Sequence, residues 1–167
     1  MLKTAGLIIL IISGTLKGIS ISGKYLKRVR FLHSYINFLI HLKSEISYTG
    51  KTLFEILKNY SCSNPLKTRL NQCLNGSMFN SFEDSWKNAF SDINYETGIT
   101  DDETAMIINF GKELGNYNIQ EQINHINHYI NLFQIKIKDA QNKLNSKGKL
   151  PIIMGICISF AIALILI

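Results

Sequence analysis

The sequence predicts an all-α protein, in which a six-helix cytoplasmic bundle is flanked by a transmembrane helix at each end. Apolar runs occupy residues 2–22 and 150–167, whereas the 24–149 region between them is too polar to enter lipid. Within that region apolar residues recur at the three- and four-residue spacing of helices, and strand-like alternation is nearly absent. The longest patterns, at 24–49 and 119–147, predict two long antiparallel helices on which the bundle is built.

The C-terminal run is the clearer of the two predicted membrane spans. Residues 150–167 carry no charge, and each leucine, isoleucine or phenylalanine there favours insertion by roughly 0.3–0.6 kcal/mol. Lys17 interrupts the N-terminal run, but it lies near the basic residues that follow, where its ammonium group can reach the headgroups. A signal peptide cleaved before Gly23 is the alternative for this run. The positive charge directly downstream opposes translocation and favours a retained span.

Basic residues concentrate where the middle region meets the two apolar runs. They are Lys24, Lys27, Arg28, Arg30, Lys143, Lys147 and Lys149, and all but Lys143 form the predicted membrane-proximal basic set. Because such residues are retained on the cytoplasmic side, they predict a cytoplasmic middle domain. We therefore expect a membrane-impermeant thiol reagent to react with Cys62 and Cys73 only after cells are opened. The net charge of +6 is interpreted as a signal that sets the membrane topology and as a charge that favours contact with anionic lipid. No arginine-rich stripe indicates nucleic-acid binding.

Helix-start signals divide the middle region into six helices. Three residues with a capping side chain each precede a glutamate by three positions, which predicts a reciprocal cap. These pairs are Thr52 and Glu55, Thr100 and Glu103, and Asn118 and Glu121. Pro65 and Ser81 are expected to open the third and fourth helices.

The last helix of the middle region carries a heptad seam. From Ile119 to Leu144 apolar residues alternate at spacings of four and three over nearly four heptads. We expect this seam to be buried against another helix of the same chain. Pairing with a second copy as a parallel coiled coil is the alternative, so the sequence leaves open whether the protein is a homo-oligomer.

No residue pattern predicts catalysis, a cofactor or a metal. Gly50-Lys51-Thr52 resembles the end of a phosphate-binding loop, but Glu45 stands where that loop needs glycine, and a helix precedes it instead of a strand. His125 and His128 share a helix without a third converging ligand. The three cysteines show no C-x-x-C spacing and are expected to be reduced. The chain is therefore predicted not to be an enzyme.

Several residues, taken in order, resemble the stage III sporulation protein AB family of endospore-forming bacteria over the whole chain. They are Met1-Leu2-Lys3, Glu45-Ile46, Tyr48, Leu53, Glu55, Trp86, Phe110-Gly111, Leu114-Gly115, Gln122 and Ile126, followed by the terminal apolar run. Two positions depart from the pattern. Lys51-Thr52 replaces a typical Thr-Pro, and Asn118 replaces an acidic residue while keeping its capping ability.

The resemblance implies a non-catalytic membrane platform, similar to the cytoplasmic helical domains of the inner-membrane platform protein of type II secretion and type IV pilus systems. It implies a location in the mother-cell membrane around the forespore. There the protein would support a channel complex with a secretion-type ATPase and other channel proteins. The alternative is a two-span membrane sensor or adaptor whose helical domain binds a ligand or partner. An external ligand would require the opposite topology, which the basic flanks oppose.

The expected docking area lies away from the membrane, because headgroups crowd the membrane-proximal ends of the long helices. The candidates lie in and around two turns: Glu45, Tyr48, Thr52, Glu55, Gly111, Gly115 and Asn118. Glu45 and Glu55 are expected to be exposed carboxylates that orient a basic partner and contribute little to folding. Gly115 is expected mainly to serve the helix end.

Overall fold

The fold is built from helices alone in the part of the chain that the structure describes. A computed structural model describes the backbone of residues 2–114, 118–147, 153, 154 and 157, and the side chains of 22–114, 118–146, 153, 154 and 157. Its helices are α1 (Leu2–Tyr48), α2 (Leu53–Asn59), α3 (Leu66–Gly76), α4 (Phe82–Phe90), α5 (Ile93–Thr97), α6 (Asp101–Glu113) and α7 (Ile119–Lys147). The predicted all-α class is confirmed.

Each of the six predicted bundle helices has a counterpart, with two differences. α1 runs from Leu2 to Tyr48 without a break, so the predicted boundary between an apolar run and a bundle helix lies inside one helix. α5 is an additional helix of five residues, Ile93–Thr97. A helix this short completes too few turns to show a 3.6-residue apolar period in sequence.

The two membrane spans stay predictions. Among the described residues no helix combines the length and the apolar character that crossing a bilayer requires. The proposed span at 150–167 lies outside the described residues except at 153, 154 and 157. The domain boundaries drawn from the two spans are likewise untested.

The chain divides into two compact units: Met1–Val29 with Asp139–Ile167, and Arg30–Lys138. Helices α1 and α7 contribute to both. In the first unit Arg28 of α1 pairs with Asp139 of α7, and in the second the ring centroids of Tyr35 and Phe133 lie 4.8 Å apart. The predicted antiparallel arrangement of the two long helices stays a prediction.

In the first unit, Arg28 differs from the prediction made for it. Its side chain is 7% exposed, and Nη2 lies 3.2 Å from Asp139 Oδ2. Lys143 and, to a smaller extent, Arg28 lower the pKa of the Asp139 carboxyl by hydrogen bonding. Arg28 is therefore a buried ion-pair partner instead of a contact for lipid headgroups. The side chain of Lys147 and all of Lys149 lie outside the described residues.

The core of the second unit is centred on Trp86 of α4, which packs against α3 and α6. The indole is fully buried, and its Nε1–H donates a 2.8 Å hydrogen bond to the carbonyl of Ile107. Its ring contacts Phe38, Phe90 and Phe110, at centroid distances of 6.3, 4.6 and 6.1 Å. The tryptophan thus joins α1, α4 and α6.

The predicted caps are present at the helix starts. Thr52 and Thr100 both form reciprocal capping boxes with the glutamate three positions later. Asn118 Oδ1 accepts from the Glu121 backbone N–H at 2.9 Å, and Glu121 Oε2 accepts from the Asn118 N–H at 3.4 Å. Since each box satisfies two backbone donors that lack helical partners, these pairs fix where α2, α6 and α7 begin.

The heptad seam of α7 is largely core. Its buried members are Ile126, Ile130, Phe133, Ile137 and Ala140, whereas Ile119 at its start is 62% exposed. On α1 the buried face includes Phe31, Tyr35, Phe38 and Leu42. The buried stretch of the seam is covered within one chain, as expected, so its burial needs no second copy.

Candidate functional site

The candidate site is a cleft in the second unit, between the turn that joins α1 to α2 and the facing ends of α6 and α7. It has a volume of about 310 Å³. We call it the end cleft. Its lining residues are Ile46, Gly50, Lys51, Leu53, Leu114, Ile119 and Gln122.

The α1–α2 turn owes its shape to a left-handed glycine and a local ion pair. Gly50 has φ of +62°, a conformation that glycine adopts at little cost. Lys51 Nζ lies 2.8 Å from Glu45 Oε2, which also accepts from the Thr49 hydroxyl at 3.1 Å. The hydrogen bond from Lys51, followed by that from Thr49, lowers the pKa of the Glu45 carboxyl. These contacts stabilise the observed conformation of the turn in the absence of a partner.

The predicted docking residues of this turn have unequal roles. Tyr48 is 87% exposed and is available to a partner. Glu55 is exposed, but its Oε2 accepts from the Thr52 backbone N–H at 3.0 Å and from the Thr52 hydroxyl at 2.9 Å, which lowers its pKa. Glu45 is engaged by Lys51. The expectation that Glu45 and Glu55 contribute little to folding stays a prediction, and both carboxylates take part in local hydrogen bonds.

The prediction that Gly111 is a docking residue requires a correction. It is buried within α6, and a Cβ at this position would overlap the Trp86 indole at Cδ1, Cγ and Nε1. The absence of a side chain therefore allows Trp86 to pack on the helix, and Gly111 does not belong to a docking surface. Gly115 lies outside the described residues, and Asn118 is exposed and caps α7.

Exposed apolar side chains occur on the elements that form the end cleft. Tyr48 is 87%, Ile119 62% and Phe54 43% exposed. Inside the cleft, Ile46 and Leu53 are half-buried and Leu114 is buried. An apolar cleft with exposed apolar neighbours is typical of a surface that receives an apolar side chain of another molecule.

Few of the described side chains that line the end cleft could take part in proton transfer. Lys51 is the single ionisable residue among the seven described residues that line it, and Lys51 is paired with Glu45. Elsewhere in the described chain, no group of three His, Cys, Asp or Glu residues converges as metal ligands would. His125 does not join His128 as a ligand pair: its Nδ1 lies 3.0 Å from Glu113 Oε2 on α6. The cleft is suited to packing more than to proton transfer.

Of the predicted docking residues that the structure describes, none is among the residues that line the end cleft, although several of their neighbours in sequence are. Ile46, Leu53, Leu114 and Gln122 belong to the series that carries the family resemblance, and all four line the cleft. Ile119 was interpreted as a core residue of the heptad, whereas it lies at the cleft with its side chain mostly exposed. Its position directly after the Asn118 cap is the signal that could have indicated this, since the first turn of a helix often projects beyond the core.

The fold and the cleft define an all-helical protein whose candidate site is an interaction surface. The chain belongs to the stage III sporulation protein AB family, whose family model matches residues 3–167. The resemblance found in the sequence is therefore confirmed over nearly the whole chain, and the protein is related to sporulation. Neither a curated protein nor a solved structure matches the chain significantly.

Proposed function

We propose that this protein is a non-catalytic platform component of a channel or secretion-like complex between mother cell and forespore. In this proposal the end cleft docks a cytoplasmic secretion-type ATPase. Family membership supports the sporulation context. The observation that carries the docking surface is the apolar end cleft with the exposed side chains of Tyr48, Phe54 and Ile119 on its elements.

The proposed location is the mother-cell membrane, with the 24–149 region on the cytoplasmic side. The apolar runs at 2–22 and 150–167 would supply the anchors. Lys24, Lys27 and Arg30 are exposed, as contact with anionic headgroups requires. The buried Arg28 is left out of this set.

The geometry of the turn favours docking for an energetic reason. Binding costs less free energy when the surface needs no ordering, and the α1–α2 turn is already fixed by the Glu45–Lys51 ion pair and the Thr52 capping box. A tyrosine as exposed as Tyr48 adds a large, stiff contact area of the kind that dominates interfaces. The polar Gln122 can supply a directional hydrogen bond at the cleft wall.

The proposal is tested by capture of the ATPase. Replacing Tyr48 with alanine and Ile119 with serine should weaken co-purification of a secretion-type ATPase by about tenfold or more, because each removes an exposed apolar side chain on an element that forms the cleft. Both side chains are exposed, so the melting temperature should stay near that of the parent. Tyr95→Ala is the matched control, since Tyr95 is 88% exposed on α5 and does not line the cleft.

Capture that is undiminished in the folded double variant would eliminate the end cleft. The exposed basic residues Lys24, Lys27 and Arg30 would then be the next candidates. A loss shared by Tyr95→Ala would indicate nonspecific adhesion. Charge reversal of Glu45 and Glu55 is a poorer test, because it would also disturb the turn and the start of α2.

The topology prediction now depends on one cysteine. Cys62 is half-buried, and burial raises its thiol pKa, so labelling needs mildly alkaline conditions. Cys73 is buried, with a pKa raised to about 12, so the expectation that it labels in the folded protein is wrong. In a Cys157→Ser background, a membrane-impermeant thiol reagent should label Cys62 only after cells are opened. Cys73 should label only after denaturation.

Labelling of Cys62 in intact protoplasts would reverse the proposed orientation. It would place the helical domain outside the cytoplasm and favour the sensor alternative. Cys73 serves as an internal control, because its label reports unfolding in either orientation.

A further inference from the structure

A second cleft, between α3 and α4, has hydrogen-bonding groups that the protein leaves unused. Its volume is about 300 Å³, and it shares no lining residue with the end cleft. We call it the polar cleft. The lining residues that matter here are Arg69, Gly76, Asn80, Ser85, Asn88 and Asp92.

Arg69 is a buried cation, and its Nε is the side-chain nitrogen that has no hydrogen-bond partner among the described residues. Its side chain is 7% exposed. Nη1 donates to the Ala89 carbonyl at 3.1 Å and to Asp92 Oδ1 at 3.2 Å, and Nη2 donates to Glu96 Oε1 at 2.6 Å. Within the described chain the Nε–H has no hydrogen-bond partner. A buried donor left in this way opposes folding until something accepts from it.

Ser85 supplies the second unused group of the same cleft. The residue is 3% exposed, and its Oγ has no hydrogen-bond partner among the described residues. Gly76 keeps the space in front of this hydroxyl open, because a Cβ on Gly76 would come within 3.1 Å of Ser85 Oγ. Asn80 and Asn88 are exposed. Both also line the cleft, and exposed side chains change rotamer within nanoseconds.

The charges around the polar cleft exclude most ions as ligands. One guanidinium, that of Arg69, is shared by two carboxylates, those of Asp92 and Glu96. The group of three therefore carries one net negative charge, which disfavours phosphate or a carboxylate. A cation cannot accept the hydrogen bond that Arg69 Nε–H offers. A neutral group that both accepts and donates fits best: an amide carbonyl can accept from Arg69 Nε–H, and an amide N–H can donate to Ser85 Oγ.

The adjoining loop adds an apolar surface. Met78 is 68% and Phe79 88% exposed, and they lie between Gly76 and Asn80, both of which line the cleft. A peptide presents a neutral backbone amide next to an apolar side chain, and so matches both features. We propose that the polar cleft binds a neutral peptide segment of a partner protein, with one backbone amide at Arg69 and Ser85 and a neighbouring apolar side chain on Met78 and Phe79.

The test uses the full-length chain and a capped amino acid as the probe. N-acetyl-leucinamide is neutral and carries two amides and one apolar side chain. The readout is the ¹H–¹⁵N signal of the Arg69 side-chain Nε–H, identified by its loss in Arg69→Lys. Addition of the probe should shift this signal saturably, and sodium phosphate at matched ionic strength should not.

Three variants and one control make the result specific. Ser85→Ala removes the hydroxyl without adding volume and should weaken binding by about tenfold. Phe79→Ala should weaken it by a similar factor, and Gly76→Ala should abolish the shift by narrowing the cleft. Phe54→Ala removes an exposed ring that does not line the polar cleft and should bind like the parent. Equal melting temperatures would show that the variants are folded.

Several results would overturn the proposal. These are the absence of a saturable shift in the parent, unchanged affinity in both Ser85→Ala and Phe79→Ala, and a shift caused by phosphate instead of the peptide probe. N-acetyl-glycinamide, which lacks the apolar side chain, should bind more weakly. Equal binding would refute the contact with Met78 and Phe79. None of these outcomes bears on ATPase docking at the end cleft.

Discussion

Replacing Gly111 with alanine should destabilise the second unit by about 3 kcal/mol or more. The new Cβ would overlap the indole of Trp86. That ring cannot easily move, because its N–H is bonded to the Ile107 carbonyl and its neighbours Phe90 and Phe110 are fully buried. Urea unfolding monitored by circular dichroism would measure the effect as a lower midpoint with a similar slope.

The chain offers a matched control at another helical glycine. Gly23 lies inside α1, and no atom would stand within 4 Å of a Cβ added there. Gly23→Ala should therefore stabilise the helix by up to about 1 kcal/mol. Equal unfolding midpoints for Gly111→Ala and the parent would contradict the packing described here. Combining Gly111→Ala with Trp86→Leu should cost less than the sum of the two single changes, because the smaller side chain relieves the overlap.

Replacing Ile126 and Ile130 together with aspartate should unfold the protein. Ile126 is fully buried and Ile130 is 9% exposed. Burying a carboxylate without a partner belongs to the few mechanisms that cost more than about 4 kcal/mol. Loss of helical circular dichroism at 25 °C would be the measured result.

Asn131→Asp is the control for this pair. It introduces the same charge one position beyond Ile130, at an exposed site, and should change stability little. If the double aspartate variant melted like the parent, the seam would not be core. If the parent's melting temperature rose with protein concentration, part of the seam's stability would come from a second copy.

Local signals in the sequence located the helices well. A reciprocal cap such as that of Thr52 and Glu55 involves only neighbouring residues, so its geometry follows from their identities wherever the helix is placed. The seam of α7 was equally accessible, because a long apolar period implies a partner surface. The docking surface predicted at the α1–α2 turn stays a prediction, and Ile46 and Leu53 of the family series line the end cleft beside it.

The residues that were predicted wrongly or not at all are those whose surroundings are formed by parts of the chain far away in sequence. Arg28 is adjacent to Lys27 and was interpreted as a surface charge, yet Asp139 lies 111 positions away and engages it. Gly111 was placed on a docking turn, because nothing beside it indicates that Trp86, 25 positions earlier, covers it. Arg69 carries no sequence signal at all. A lone arginine between Thr68 and Leu70 gives no sign of burial in the sequence, and its burial follows from partners at 89, 92 and 96.

The Arg69 contacts also bear on which parts of the molecule open together. A five-residue helix such as α5 cannot persist alone in water, because so short a segment never recovers the cost of its first turn. Glu96 of α5 holds the guanidinium of α3 at 2.6 Å, so release of α5 would expose a cation that is otherwise covered. We therefore expect amide hydrogen exchange along α5 to accompany hydration of Arg69, with α5 and α3 opening together.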